Sequence, residues 1–299
     1  NERGTIYKDL YSINFNGENL KRITELSGYH SINFSSNNEY FIDVFSNANS
    51  LPSTNLCKSN GENMKALIAA DMSVFQDYGF SQLEFLKFTT SDGVELNAAM
   101  IKPVDFDSTK KYPVLFYNYS GPGSQIVQDR WGGINHLWHE ILAQRGFIIF
   151  MLDNRGTGGR GKAFKNLVYK NLGNWEVNDQ IEGAKYLSTI SYVDTARIGI
   201  WGWSYGGYMS ALTLLKGADY FKVAVSVAPV TDWKFYDNIY TERYMSLPEL
   251  NPEGYEQSSV LNYTDKLKGK LLLIHGTGDD NVHFQNSVAL VNKLISENK

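Results

Sequence analysis

One cysteine, Cys57, stands in the whole chain. A single thiol excludes an internal disulfide and any zinc site built on cysteines. It leaves an oxidising compartment open, because exported proteins can do without disulfides. Long apolar runs are missing too: none approaches the ~20 residues that a membrane-spanning helix needs. Charge is sparse and nearly balanced, at a net −4 with no long basic run, which argues against nucleic acid as a partner. The first residues, Asn1-Glu2-Arg3-Gly4, hold neither an initiator methionine nor a signal peptide. The chain therefore reads as a fragment that begins inside a longer polypeptide. What it has in quantity is apolar and aromatic side chains, 42% and 14% of its 299 residues. That composition is globular and supplies ample core, for one large domain or two smaller ones.

Two kinds of sequence follow each other. Residues 1–84 read as short strands broken by turns, with candidates at 5–13, 20–26, 30–34, 40–46, 54–58 and 64–68. Ser59-Asn60-Gly61-Glu62, between the last two, is a hairpin signal. Strands this short and closely spaced predict a sandwich, barrel or propeller. So few apolar residues would make a weak domain by themselves. A piece of a larger repeated β-structure explains the stretch better than a small independent β-domain. Residues 85–299 differ. Strands at 83–89, 96–102, 114–118, 147–152, 198–201, 223–227 and 271–274 alternate with helices at 138–145, 178–187, 207–215 and 285–297. Continuous apolar strands alternating with helices predict an α/β domain, with a mostly parallel sheet covered on both faces.

Gly202-Trp203-Ser204-Tyr205-Gly206 carries the strongest chemical signal. A buried strand precedes it and a helix follows, which is the context of a nucleophile elbow. Glycines flank the serine because the turn is tight. The elbow lifts the Ser204 hydroxyl above the sheet and predicts an α/β-hydrolase fold. There the acid follows the nucleophile along the chain, and the histidine follows the acid. Strand 271–274 leads into His275-Gly276-Thr277-Gly278-Asp279-Asp280-Asn281, so Asp279 is the candidate acid, with Asp280 next. A turn with two solvated carboxylates is the plain alternative. Only His283 follows Asp279, four residues on. That is too close to bond the acid through one ring nitrogen while the other faces the serine. His275 ends a strand and reads as structural. His30, His136 and His139 precede Ser204. The base is therefore expected beyond residue 299. An oxyanion needs donors. The Tyr205 backbone N–H is one. The Tyr119 hydroxyl, in Tyr117-Asn118-Tyr119-Ser120-Gly121-Pro122-Gly123, is a candidate for the second; a core tyrosine is the alternative.

Four stretches resemble the dipeptidyl peptidase IV branch of the prolyl oligopeptidase family. They are Gly202-Trp203-Ser204-Tyr205-Gly206-Gly207-Tyr208, the loop from His275 to Gln285, Asp153-Asn154-Arg155-Gly156-Thr157-Gly158, and Tyr236-Asp237-Asn238-Ile239-Tyr240-Thr241-Glu242-Arg243-Tyr244-Met245. The likeness covers nearly all of residues 85–299 and, more weakly, residues 1–84. It implies an α/β-hydrolase (peptidase) domain at 85–299, truncated at its C-terminus, preceded at 1–84 by the final strands of a β-propeller. It implies a serine exopeptidase that releases Xaa-Pro or Xaa-Ala dipeptides from a free N-terminus through an acyl-enzyme. Ser204 is then the nucleophile and Asp279 the acid. Tyr119 and the Tyr205 amide form the oxyanion hole. A proline pocket maps onto Tyr205, Val230, Trp233, Tyr236, Tyr240 and Val282. Flat aromatic faces suit a rigid apolar ring, though Trp233, Tyr236 and Tyr240 also fit helix-face core packing. Arg243 and Asn281 resemble residues that hold substrate carbonyls, and Asp237 matches the dipeptidyl peptidase form. The family's paired glutamates that grip the substrate ammonium would precede residue 1. No metal or organic cofactor is implied. Peptide substrates, a homodimer of the full-length protein and a periplasmic, secreted or cell-surface location are implied by the likeness alone. A tripeptidyl peptidase, endopeptidase or esterase on the same fold remains an alternative, as does a noncatalytic binding relative. The fragment itself is expected to be inactive.

Overall fold

The computed structural model describes residues 2–299; Asn1, the first residue of the predicted amino-terminal unit, lies outside them. β1 (Tyr11–Ser12) and β2 (Lys21–Arg22) pair as a minimal antiparallel ribbon. The longer strands predicted at 5–13 and 20–26 do not form. Their backbone groups find other partners: Lys8 bonds Gly28 and His30, and the Leu10 amide donates to the Thr24 hydroxyl at 3.1 Å. β3 (Tyr29–Phe34), β4 (Tyr40–Asn47), β5 (Ser50–Lys58) and β6 (Asn63–Ile68) make a four-stranded antiparallel sheet in chain order. The predicted turn joins β5 to β6, with Gly61 at φ 96°.

β7 (Leu83–Thr89), β8 (Glu95–Ile101) and β9 (Tyr112–Tyr117) open the second unit, followed by α1 (Gly133–Gln144), β10 (Ile148–Asp153), α2 (Gly161–Lys165) and α3 (Asn174–Ser188). Then come β11 (Val193–Trp203), α4 (Tyr205–Lys216), β12 (Val223–Val227), α5 (Asn238–Met245), α6 (Pro252–Ser258), β13 (Lys270–Ile274) and α7 (Gln285–Ser296). Seven strands form one sheet in the order β13-β12-β11-β9-β10-β8-β7. The five from β9 to β13 are mutually parallel; β8 runs antiparallel to β10, and β7 antiparallel to β8. This is an α/β-hydrolase fold. α5 and α6 are each short, and α6 is largely polar, so neither extends the apolar repeat long enough to mark a helix in sequence.

Period-two alternation divides the strand residues between two faces. Val114, Phe116, Ile148, Phe150, Ile198 and Ile200 pack with Ala184 and Leu187 of α3 and Leu214 of α4. Ala99, Ile101, Ile149 and Met151 pack on the other face with Ala143 of α1. Helices thus cover both faces, as the continuous apolar strands require. From β9 the chain crosses through α1 to β10 on one side; from β11 it crosses through α4 to β12 on the other. The loops leaving β9 and β11 therefore part in opposite directions. The crevice between them, at the carboxyl ends of the strands, is the natural ligand position of such a sheet.

Polar contacts join the two units. Asp129 accepts from the Ala48 amide at 2.9 Å, and Asn49 and Leu83 exchange hydrogen bonds at 2.8 and 3.3 Å. Among the described residues no helix is long and apolar enough to cross a membrane.

β13 is an edge strand whose Leu272 and Ile274 are exposed, and Val288, Val291 and Ile295 of α7 are exposed as well. Unpaired strand edges with apolar side chains promote association. The isolated 299-residue chain should scatter light increasingly with concentration, and Leu272→Lys should suppress the scattering at matched concentration. Equal scattering by both proteins would show that this edge is not the sticky surface.

Candidate active site

Ser204 occupies the single residue between β11 and α4, at φ 59° and ψ −118°. A positive φ on a residue with a side chain is strained and needs outside support. The support is local. The Ser204 amide donates to the Val227 carbonyl at 2.9 Å, and the Ser204 carbonyl accepts from the Tyr208 amide at 2.9 Å. Gly202 and Gly206 have a steric reason: a Cβ at either would overlap the Asn118 carbonyl oxygen. The elbow thus sits directly against the loop that follows β9.

That loop is held as firmly. Asn118 is buried, and its amide nitrogen donates to the Trp201 carbonyl at 3.1 Å and the Ser210 hydroxyl at 3.0 Å. Ser120, at φ 69°, offers its carbonyl to Asn154 and its hydroxyl to Gln180, each at 3.2 Å. Tyr119 between them is exposed at its cleft, not a core tyrosine, and its ring stands 6.2 Å from that of Tyr205, the residue after Ser204. Partial desolvation raises the Tyr119 phenol above its ordinary value, against the opposing effect of the Ser204 hydroxyl, so it keeps its proton at neutral pH.

Asp279 follows β13, whose end lies in register with the ends of β12 and β11 through Val227↔Ile274 and Trp203↔Val227. Its Oδ1 accepts from the amides of Val282 at 2.9 Å and Asn281 at 3.0 Å. These backbone bonds hold the carboxyl below the usual carboxylate range, with the nearby His275 ring acting the same way. Asp279 is therefore an anion at neutral pH. Of the histidines, His275 lies against the acid itself, Nε2 at 3.4 Å from Asp279 Oδ2. His275 has Nδ1 on the Ser287 hydroxyl at 2.6 Å and donates from Nε2 to the Val282 carbonyl at 2.7 Å. His283 accepts from the Gln285 amide at 3.2 Å. His30 lies in the four-stranded sheet beside Asp43. His136 and His139 are buried on α1, where desolvation lowers them to about 4 and about 3. Among the described residues, no histidine is hydrogen-bonded to Ser204.

Beside the elbow an aromatic cage forms. Tyr205, Val230, Trp233 and Val282 are buried in one cluster, with Tyr236 and Tyr240 packed against it. Trp233 stacks on Tyr240 at 5.8 Å between ring centroids and meets Tyr236 edge-on at 5.9 Å and Tyr205 at 5.5 Å. These rings do not share a helix face: Trp233 lies in a 3-10 turn, Tyr236 follows it, and Tyr240 belongs to α5, which Asp237 caps through a 2.8 Å bond to the Tyr240 amide. The Tyr236 hydroxyl donates to Asn281 Oδ1 at 3.3 Å and so ties the cage to the Asp279 loop. Arg243 stands exposed on the last turn of α5, without an ion pair among the described residues. Sequence reading missed Glu176, which is fully buried and bonded to the Tyr205 hydroxyl at 2.7 Å. The available signal was Gly173-Asn174-Trp175-Glu176, a carboxylate three residues after a helix N-cap, where it closes back on the N-cap amide.

Residues 137–299 match the prolyl oligopeptidase family. A probable dipeptidyl-aminopeptidase B of Arthroderma otae is 39% identical over 298 residues, covering 97% of this chain and 32% of that protein. The protein of the same name from Neurospora crassa is 40% identical over 301 residues, covering 98% and 32%. The crystal structure of Porphyromonas gingivalis dipeptidyl peptidase 4 superposes with a TM-score of 0.94 at 38% identity, covering 99% of this chain and 42% of that one. The chain thus spans about a third of the length of the curated relatives it matches.

Two outcomes follow from this geometry. Gly206→Ala should destabilise by about 1–3 kcal/mol, because the added methyl has only rigid backbone to displace; an unchanged denaturation midpoint would contradict the overlap. Burial raises Glu176 to about 7 from an ordinary 4.5, against its hydrogen bonds from Tyr205 and Gly173. The folded state then holds this proton more tightly than the unfolded chain. Its stabilising effect is complete below about pH 4.5 and lost as pH rises through about 7. Glu176→Gln lacks that titration. Relative to wild type it should gain on the order of 3 kcal/mol between pH 4 and 8. Parallel pH profiles for the two proteins would refute the assignment.

Proposed function

The chain belongs to the prolyl oligopeptidase family, and from that premise we propose that it is the main part of the catalytic unit of a serine exopeptidase that releases Xaa-Pro or Xaa-Ala dipeptides. The observation that carries the reading is the strained Ser204 elbow, whose next residue, Tyr205, stands between Tyr119 and the Trp233–Tyr240 cage. In this reading Ser204 Oγ attacks the carbonyl carbon of the substrate's second residue. The oxyanion accepts from the Tyr119 hydroxyl and the Tyr205 amide, two donors already in place before the reaction. Collapse expels the rest of the peptide as an amine and leaves an acyl-enzyme, which water hydrolyses to free the dipeptide. The flat proline ring lies in the cage of Tyr205, Val230, Trp233, Tyr236, Tyr240 and Val282. Asn281 and Arg243 hold backbone carbonyls of the substrate.

The proton of Ser204 goes to a histidine outside these 299 residues, which passes it to the nitrogen of the departing amine. The support is that none of the five histidines is hydrogen-bonded to Ser204, while Asp279 is a ready anion to orient an imidazole. The same reading divides the chain into the last part of a β-propeller over residues 1–84, from the antiparallel β3–β6 sheet, and a peptidase domain over 85–299. A homodimer and a periplasmic, secreted or cell-surface location belong to it as well. Its support there is the likeness to dipeptidyl-aminopeptidases and dipeptidyl peptidase 4.

The full-length polypeptide should cleave a Gly-Pro chromogenic amide, and Ser204→Ala should lower kcat by roughly 10⁴-fold or more. No release, or release indifferent to Ser204→Ala, sinks the proposal. An N-terminally blocked substrate cleaved as fast as the free one turns it toward an endopeptidase. The 299-residue chain alone should show no turnover; normal activity would overturn the assignment of the base to another segment.

A further inference from the structure

Glu176 is buried carboxyl chemistry in contact with the residue next to Ser204. It occupies the third position of α3, and its two oxygens have separate partners: the Gly173 amide at 3.0 Å and the Tyr205 hydroxyl at 2.7 Å. The first bond and the backbone fix the carboxyl. Gly173 lies at φ 82°, and a Cβ there would overlap the Tyr208 hydroxyl. The second bond fixes the tip of the Tyr205 ring. That ring stands 5.5 Å from Trp233, 5.3 Å from Tyr208 and 6.2 Å from Tyr119. Its own backbone N–H is the first amide of α4, directly after Ser204. One side chain therefore joins the cage wall to the amide beside the reacting oxygen.

Helix capping accounts for the bond to the Gly173 amide but not for the one that reaches across to the Tyr205 hydroxyl. A fully buried acid is costly, and a matched apolar pair commonly serves as well or better. What an acceptor at this place supplies is a fixed position for the hydroxyl, and through it for the whole residue.

We infer that Glu176 is a positioning residue: by holding the Tyr205 hydroxyl from behind the cage, it sets both the direction of the Tyr205 N–H toward the oxyanion and the depth of the pocket for the residue before the scissile bond. The inference rests on the dipeptidyl peptidase reading. Glu176 itself touches neither substrate nor the reacting atoms.

The test uses the full-length polypeptide, with active enzyme counted by fluorophosphonate labelling of Ser204, on Gly-Pro and Gly-Ala chromogenic amides. Glu176→Ala should lower kcat per labelled site by about 10–100-fold and shift the proline-to-alanine ratio of kcat/KM by about fivefold or more. Glu176→Gln keeps an acceptor and should restore both to within about threefold. Tyr205→Phe removes the other end of the bond and should reproduce the shift in ratio. The double variant should be no worse than the worse single one. If Glu176→Ala does not fold, Tyr205→Phe and Glu176→Gln decide the matter by the same two readouts. A role confined to stability would lower the melting temperature and the labelled fraction, leaving per-site kcat and the ratio at wild-type values; that result overturns the inference. A wild type that labels but cleaves neither amide overturns the underlying reading and this inference with it. An active wild type with unaltered variants overturns this inference alone.

Discussion

The pairing of β9 with β11 is the constraint on which the rest of the structure depends. Its register sets Tyr117 opposite Trp201, so the two strands deliver their loops to the same edge at the same height. Their connections then leave in opposite directions, and the crevice between them opens by topology alone. Ser204 and Tyr119 meet there because each is one or two residues past the end of its strand. The glycines at 202 and 206 keep the approach close enough for the Asn118 carbonyl to lie against the elbow. A shift of the register by one residue would turn one of the two, Ser204 or the Asn118 side chain, to the wrong face relative to the other.

Polar side chains behind this edge supply rigidity rather than net stability. Arg155 takes Asp179 through Nε at 3.0 Å and Nη2 at 2.5 Å, reaches Asp92 at 2.5 Å, and covers the Trp175 ring at 4.1 Å. Asn118, Ser120, Asn154, Gln180 and Ser210 form a second group under the Tyr119 loop. Ion pairs at such depth recover little more than their desolvation. Their value is that each has few alternative arrangements. Donors aimed before a charge develops need no reorganisation when it does, and these two groups supply that fixed aim to the Tyr119 and Ser204 loops.

Much of this arrangement was legible in the chain itself. Seven strands and four helices of the second unit announced themselves by continuous apolar runs and by helical periodicity. The elbow announced itself by glycines whose steric need the structure makes explicit. The rest depended on interactions no local pattern carries. Residues 5–13 look like a strand, yet their backbone bonds are diverted to Thr24 and to the start of β3. Trp233, Tyr236 and Tyr240 have helical spacing and nevertheless come from a turn, a connector and a helix, drawn together by their rings. Glu176 was hidden because its partner is 29 residues away and a carboxylate at that position is common helix-start chemistry. Tyr119 could be read as core or as cleft until its loop was seen to bend at Ser120.

Within the 299-residue chain, the position of β13 at the edge of the sheet has a consequence for how the cluster comes apart. Ser204 and Tyr119 hang from strands with neighbours on both sides, whereas Asp279 hangs from one with a neighbour on a single side. Local opening follows such differences in support, proceeding through cooperative units of unequal free energy. The carboxylate loop belongs to a shallower unit than the elbow. As conditions grow harsher, exchange of amide protons should reach Asn281 and Val282 while those of β9 and β11 stay protected. The molecule would then pass through a stage in which its serine is still presented, strained and intact, and the anion meant to accompany it has already drifted away.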